Sequence, residues 1–349
     1  MKKKLLSLIS LPVVAGLITL SACSGGSQTI VPTSSNWYRG GSDAIQPSIV
    51  CQTESEVSEK AEILTYNISL SDGNANYQVS TGTYTTRLYA VTYDWSKSYA
   101  DYASNTTEVV YVYETELSVT GTYGSDKTAF NNQLTTKTYF RSAAKNLQPV
   151  YSYEDVKSTS PTSTITFAQY DYTLETWYNT NVTNVTTTQT VRSGDIRFDK
   201  TEDKNNTTTT SVSIADASYS VFDSNMMYLA ARAFKLTSSY STSICVYVPN
   251  RGALSTVTVK GTASDNLDTN DSMRGVLVST YAPTATDIGY VDISFSKSNQ
   301  STITARYAAI TNTNDNQCRS TLLQFKTSVG YNFGTLTYTL STIHPFPSV

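Results

Sequence analysis

The sequence predicts an all-β protein: a large curved antiparallel sheet or half-barrel, or two packed β-modules, with one short helix near residues 223–235. Alternation is the first observation. Val109, Tyr111, Tyr113, Leu117 and Val119 share one face, with Glu114, Glu116, Ser118 and Thr120 on the other. Ala168, Tyr170, Tyr172 and Leu174 likewise oppose Gln169, Asp171, Thr173 and Glu175. A period of two is the mark of antiparallel strands with one wet face. Composition is the second: Tyr outnumbers Phe 26 to 10, and Tyr and Thr are good strand formers. A Tyr suits a half-buried position with its hydroxyl in water. Third, turn dipeptides recur at Asp72-Gly73, Thr81-Gly82, Tyr123-Gly124, Ser193-Gly194 and Arg251-Gly252. With 39% hydrophobic and 15% charged residues, the chain is too apolar for disorder, and its composition is too poor in helix formers for a bundle. A net charge of −3 gives no electrostatic footprint for nucleic acid.

In chain order, Lys2, Lys3 and Lys4 form a basic start, and Leu5 to Leu20 is an apolar run broken by Ser7, Ser10 and Pro12. That run is too short and interrupted for a membrane span and reads as a signal peptide over residues 1–22. It ends in Leu20-Ser21-Ala22-Cys23, which resembles the bacterial lipobox. The resemblance implies cleavage before Cys23, acylation of its thiol and amino group, and a permanent membrane anchor, since two or three acyl chains hold where one does not. Residues 23–36 then form a flexible tether. Ser24 stands where an Asp would mark inner-membrane retention, so a Gram-negative host would place the protein on its outer membrane. Loss of the three leader lysines leaves 22 Lys+Arg against 28 Asp+Glu, so only the lipid, and not charge, would hold the body to an anionic bilayer.

The body divides into an N-terminal β-rich region, 37–200, and a C-terminal one, 211–349. A small helix is expected at Ser55–Leu64, and strands at Ile63–Leu70, Thr83–Tyr93, Thr207–Ile214, Thr256–Lys260, Gly275–Thr280, Tyr290–Ser296, Thr302–Ala309, Leu322–Thr327 and around Leu336, Tyr338 and Leu340. The polar stretch Thr201–Thr210 is the first candidate hinge and Lys157–Thr164 the second. Asp223-Ser224-Asn225, followed by Met226, Met227, Leu229, Ala230, Ala233 and Phe234, reads as a capped amphipathic helix of roughly three turns ending near Lys235. With Cys23 acylated, Cys51, Cys245 and Cys318 remain; three buried or inert thiols is the default reading, and Cys245–Cys318 is the preferred pairing if a disulfide forms.

The stretch Val221 to Phe234, the strands Ile244–Val248 and Thr256–Lys260, and the closing Arg319–Phe325 and Gly334–Tyr338 resemble an uncharacterised family of exported bacterial β-domains. Those domains are akin to the lipoprotein-carrier half-barrel, a curved sheet closed by a helix around an apolar concavity. The resemblance implies that Met226, Met227, Leu229 and Phe234 line or plug that cavity.

Chemistry is sparse. The lone His344 lies in a Pro-flanked tail, poor ground for a general base. No nucleophile elbow, phosphate loop or zinc motif is present in the sequence, and no cofactor or metal is expected. Asn266–Asp271 is faintly like a calcium loop but lacks its Gly and its closing Glu, and reads as a solvated turn. Asp171, Glu175, Glu114 and Glu116 alternate with aromatics as in a sugar cleft, or as on any soluble sheet face. The expectation is a lipid-anchored, extracytoplasmic protein without enzymatic activity that binds a hydrophobic ligand or serves as an envelope structural part. The alternative is a surface β-sandwich for glycan or host contact, with Trp37, Trp95 or Trp177 stacking on sugars; tryptophans that merely fill the core are the default reading for all three. A carrier leaves a continuous apolar interior partly unfilled, whereas a glycan binder sets aromatics in a solvent-facing row.

Overall fold

The computed structural model describes residues 47–94, 107–179, 184–194, 205–211, 221–234, 236–281, 287–297, 302–309 and 320–347. The leader, Cys23, the tether, Trp37, Trp95, Lys235 and Cys318 lie outside the described residues.

The N-terminal segment holds β1 (Val50–Cys51), a tight turn at Glu54–Glu56 and α1 (Val57–Lys60). A meander follows: β2 (Glu62–Ser71), β3 (Tyr77–Asp94), β4 (Thr107–Tyr123), β5 (Thr128–Phe140), β6 (Pro149–Pro161), β7 (Phe167–Tyr178), β8 (Asn184–Gly194) and β9 (Asn205–Ser211). After β10 (Val221–Asp223) and the short helix α2 (Met227–Ala231) comes a second meander. It comprises β11 (Ser241–Val248), β12 (Ala253–Asn266), α3 (Ser272–Tyr281), β13 (Gly289–Ser296), β14 (Ile303–Ala308), β15 (Leu322–Ser328) and β16 (Thr335–His344).

Both meanders belong to one sheet. The last strand, β16, pairs antiparallel with β2, so the order runs from β10 through β11 to β16 and on through β2 to β9, with β1 added in parallel beside β3. The two ends of this path, β9 and β10, do not pair with each other, and the sheet curls until it overlaps itself. Tyr178 of β7 and Val185 of β8 pack on Val221 of β10 and Tyr247 of β11. Side-chain bonds close the seam: Tyr178 donates to Asp223 Oδ2 (2.5 Å), and the Thr187 and Tyr247 hydroxyls lie 2.9 Å apart. The result is an open scroll in which the β7–β8 wall wraps over the β10–β11 edge.

The chain enters the scroll at Asp223, whose Oδ1 accepts from the Asn225 amide (2.8 Å) and caps the turn leading into α2. Every residue from Val221 to Phe234 is buried. The expected amphipathic helix is therefore a short plug, buried on all sides because sheet surrounds it. Tyr228 lies against Phe295 and Phe325, with ring centroids 5.2 and 5.1 Å away. The one charge on α2's final turn, Arg232, forms an ion pair with Glu62 at the start of β2, each 3% exposed.

Other expectations also change. Gly275–Thr280, read as a strand from its Val and Thr content, lies inside α3. Asp271 Oδ1 accepts from the Met273 amide (2.8 Å), and Met273 and Leu277, one turn apart, reach the core. The helix expected at Ser55–Leu64 stops at Lys60, because Leu64 alternates into β2. Neither candidate hinge is a linker over its described residues. Lys157–Pro161 completes β6, and a hairpin turn closed by the Thr162 amide on Thr166 O (2.8 Å) follows; Asn205–Thr210 lies in β9. His344 is the final residue of β16, paired with Ile63, rather than part of a loose tail.

Tyrosine also goes deeper than half-burial. Tyr66, Tyr84, Tyr113, Tyr178, Tyr228, Tyr307 and Tyr338 are all buried. Some donate to backbone inside the core: Tyr66 to Leu322 O (2.8 Å) and Tyr307 to Tyr228 O (3.1 Å). One end of the scroll is sealed by rings of Tyr77, Phe130, Phe167 and Phe333, with Tyr77 and Phe130 stacked at 5.1 Å. Gly121 makes that seal possible, since a Cβ there would sit 1.9 Å from Gln78 O and 2.7 Å from the Phe130 ring.

Candidate functional site

Two places come into question: the interior, where the sequence put its ligand-binding residues, and the outer face of β3–β8. Inside, Met226, Met227, Leu229 and Phe234 are all buried in one core cluster with the sheet's inward side chains. They fill the scroll as part of the plug. At its entry, Asn225 Nδ2 donates to Glu154 Oε1 of β6 (2.9 Å). Burial pushes the Asp223 carboxyl above its ordinary range, against the hydrogen bonds from Tyr178 and the Asn225 amide.

The outer face is built by register. Alternation turns odd-numbered residues of β3, β5, β6 and β7 outward, and antiparallel pairing lines them up with the even-numbered ones of β4 and β8. One row runs Tyr89, Val112, Tyr139, Tyr151, Trp177 and Thr186. Tyr89 and Val112 are buried under the N-terminal segment, against Cys51, Val57 and Ala61. Beyond that cover Tyr139, Tyr151 and Trp177 are half-buried, and Thr186 at the far end is buried. Tyr139 touches Tyr93 (5.5 Å) and Tyr151 (5.7 Å), and Tyr151 touches Trp177 (4.3 Å between centroids). Burial and then the nearby Glu175 carboxylate raise the Tyr151 phenol pKa.

The next row is charged: Arg87, Glu114, Lys137, Tyr153, Glu175. Arg87 bridges Glu114 (3.1 Å) and Glu116 (2.7 Å), Lys137 reaches Glu114 (3.3 Å), and Tyr89 donates to Glu114 (3.1 Å). Two further rows hold Thr85, Glu116, Thr135 and Asp155, then Ser118, Gln133, Lys157 and Asp171. They line a shallow polar groove of about 640 Å³. Its far wall is Arg192 of β8, bonded to Asp171 (2.6 Å) and to both oxygens of Asp155. The Asp155 carboxylate first, and Asp171 with it, raise the Arg192 guanidinium pKa. A ring ladder on one face with a hydroxyl- and charge-lined groove two rows away can hold an extended molecule with one apolar and one hydrogen-bonding stretch.

Of the residues singled out in the sequence, Glu114, Glu116, Asp171, Glu175 and Trp177 come together here. Tyr139, Tyr151, Arg87, Lys137 and Arg192 were not foreseen, because their meeting depends on the register of five strand pairs. Cys245 is half-buried at the seam, and with Cys318 outside the described residues their pairing is not on view. Cys51 is buried, which raises its thiol pKa. Asn266–Asp271 is the turn that caps α3, and among the described residues no three His, Cys, Asp or Glu side chains gather as a metal site would require.

No family model matches the sequence, and no curated protein does. Among solved structures, a β-barrel-like protein of a domain of unknown function from Brucella abortus is similar to this chain at 9% identity and a TM-score of 0.46, over 83% of this chain and 99% of that one.

Proposed function

We propose that this is a lipid-anchored, extracytoplasmic protein of the bacterial cell envelope that binds a carbohydrate on the outer face of β3–β8 and catalyses no reaction. The observation that carries the binding reading is the half-buried ladder Tyr139–Tyr151–Trp177 on the same face as the polar groove, with one charged row between them. A pyranose has an apolar C–H face that suits an aromatic ring and a rim of hydroxyls that needs donors and acceptors. This face presents both along its strands: the rings at 139 and 151 stand four residues, about 13 Å, from Thr135 and Asp155 of the groove, a span that suits an oligosaccharide rather than a single ring. An apolar ligand held by Met226, Met227, Leu229 and Phe234 is the second reading. It would require the plug to leave a core in which those four side chains are already packed.

Replacing Trp177 by Ala is expected to weaken glycan binding by at least about tenfold in calorimetry, the scale of one lost anchor in an alanine scan. Unchanged affinity, with the β-sheet circular dichroism intact, would sink the reading. The anchor is tested separately. The Cys23→Ser variant is expected to lose incorporation of labelled palmitate and to leave the membrane fraction on cell breakage; continued labelling would refute lipidation at Cys23.

A further inference from the structure

We infer that the glycan accepted by the β3–β8 face is uncharged, and that carboxylated or phosphorylated polymers are rejected. The inference rests on the carbohydrate reading and goes one step further, to the class of sugar. Recognition of a uronate or a phosphate calls for a guanidinium fork or an ammonium with bonds to spare. Here the forks are already taken. Arg192 makes bonds to Asp155 and Asp171, and Arg87 bridges Glu114 and Glu116. Lys137 is drawn to Glu114 as well.

To take an anionic sugar, the face would have to break one of these pairs and leave carboxylates beside the newcomer, and like charges at that distance repel. Glu175 adds to this. It is exposed, outward on β7, two residues before Trp177 and opposite Tyr153, so it meets an incoming polymer along the ring ladder itself. Lys157, exposed at the groove, is a single ammonium opposite Asp171 across the β6–β7 ladder. Neutral hydroxyls fit better. Ser118, Gln133, Thr85 and Thr135 offer both donors and acceptors in the groove without a charge to offset.

The test uses chain 24–349, which retains every described residue, in calorimetric titrations against cello- and chito-oligosaccharides, oligogalacturonate and a polyglycerol phosphate. A neutral oligosaccharide is expected to bind with an affinity that changes less than about twofold between roughly 0.05 and 0.5 M salt, since no long-range charge steers it. The two anionic polymers are expected to bind at least about tenfold more weakly. Glu175→Lys should raise oligogalacturonate affinity and give it a salt dependence absent from the parent. If an anionic polymer binds the parent as tightly as the neutral ones, and salt weakens it, the inference falls while the carbohydrate reading stands. If only the anionic probes respond to Trp177→Ala, the inference falls in the same way. If no probe binds, the carbohydrate reading falls, and this inference with it.

Discussion

Titration from about pH 9 to about pH 11 is expected to unfold this protein in one steep transition. Tyr66, Tyr84, Tyr113, Tyr178, Tyr228, Tyr307 and Tyr338 are buried, and burial, as the first cause in each case, raises their pKa values, Tyr113 to about 12 and the others further. In the unfolded chain each phenol titrates near about 10. A group whose folded pKa is raised lends stability that is complete below its unfolded value and lost as the pH climbs toward its folded one. Above about pH 10 the unfolded chain therefore sheds protons the folded chain keeps, and stability falls by about 1.4 kcal/mol per pH unit per tyrosine. Seven such groups withdraw on the order of 10 kcal/mol at pH 11, comparable with the whole stability of an ordinary domain, about 5–15 kcal/mol. Tyrosinate absorbance and circular dichroism, followed together, check this. These seven phenols should ionise only as the β-sheet signal is lost, and each Tyr→Phe replacement among them should make the transition less steep. Gradual, complete ionisation with the sheet intact at pH 11 would show that the hydroxyls reach water.

That same set of tyrosines shows where reading the sequence stops. Alternation at Tyr170, Tyr172 and Leu174 reveals a strand and its inner face, because period-two patterning is local. It does not reveal whether that inner face meets water, ligand or another layer of protein. The answer lies in the 224–234 plug and in the overlap of β7–β8 on β10–β11, contacts between residues far apart in the chain. A Tyr on a one-layer sheet keeps its hydroxyl wet; inside a scroll its acceptor must come from protein, as Tyr66 finds Leu322 O and Tyr178 the Asp223 carboxylate. Gly275–Thr280 fails for a related reason. Its β-branched residues favour a strand by propensity, but the Asp271 cap and the one-turn spacing of Met273 and Leu277 over the core decide for helix.

The candidate site divides in the same way. Glu114, Glu116, Asp171, Glu175 and Trp177 stand out as outward positions on single strands, which alternation can show. That Glu114 meets Arg87 and Lys137, or that Tyr151 touches Trp177, depends on register between strands, set by hairpin geometry and by inward packing elsewhere. The apolar residues of the plug were conspicuous because hydrophobic runs always are. Their chemistry suits a ligand cavity and a packed core equally, and only the surrounding sheet decides between them.

Replacing Arg232 by Met is expected to cost about 3–5 kcal/mol, because it leaves the Glu62 carboxylate buried without its partner. The pair is bidentate, at 2.5 and 3.1 Å, and joins the last turn of α2 to the first residue of β2. Burial works to lower the Arg232 pKa, but the Glu62 charge beside it prevails and holds it above the ordinary value. Neither charge has water to fall back on. The double variant Glu62→Leu with Arg232→Met should recover most of the loss, since two apolar side chains of similar size can match a buried ion pair. Urea midpoints of the parent, the single variants and the double variant close this cycle; a loss below about 1 kcal/mol for Arg232→Met would place the pair in the class of solvated surface bridges. The position of the pair also predicts where the damage appears. Arg232 anchors the C-terminal end of the plug, so amide exchange in 227–234 should quicken before that of β3–β8. A plug loosened in this way is also the only form in which Met226, Met227, Leu229 and Phe234 would open to an apolar dye. Dye binding by Arg232→Met but not by the parent would show that the interior is apolar and accessible only when the lock to Glu62 is broken.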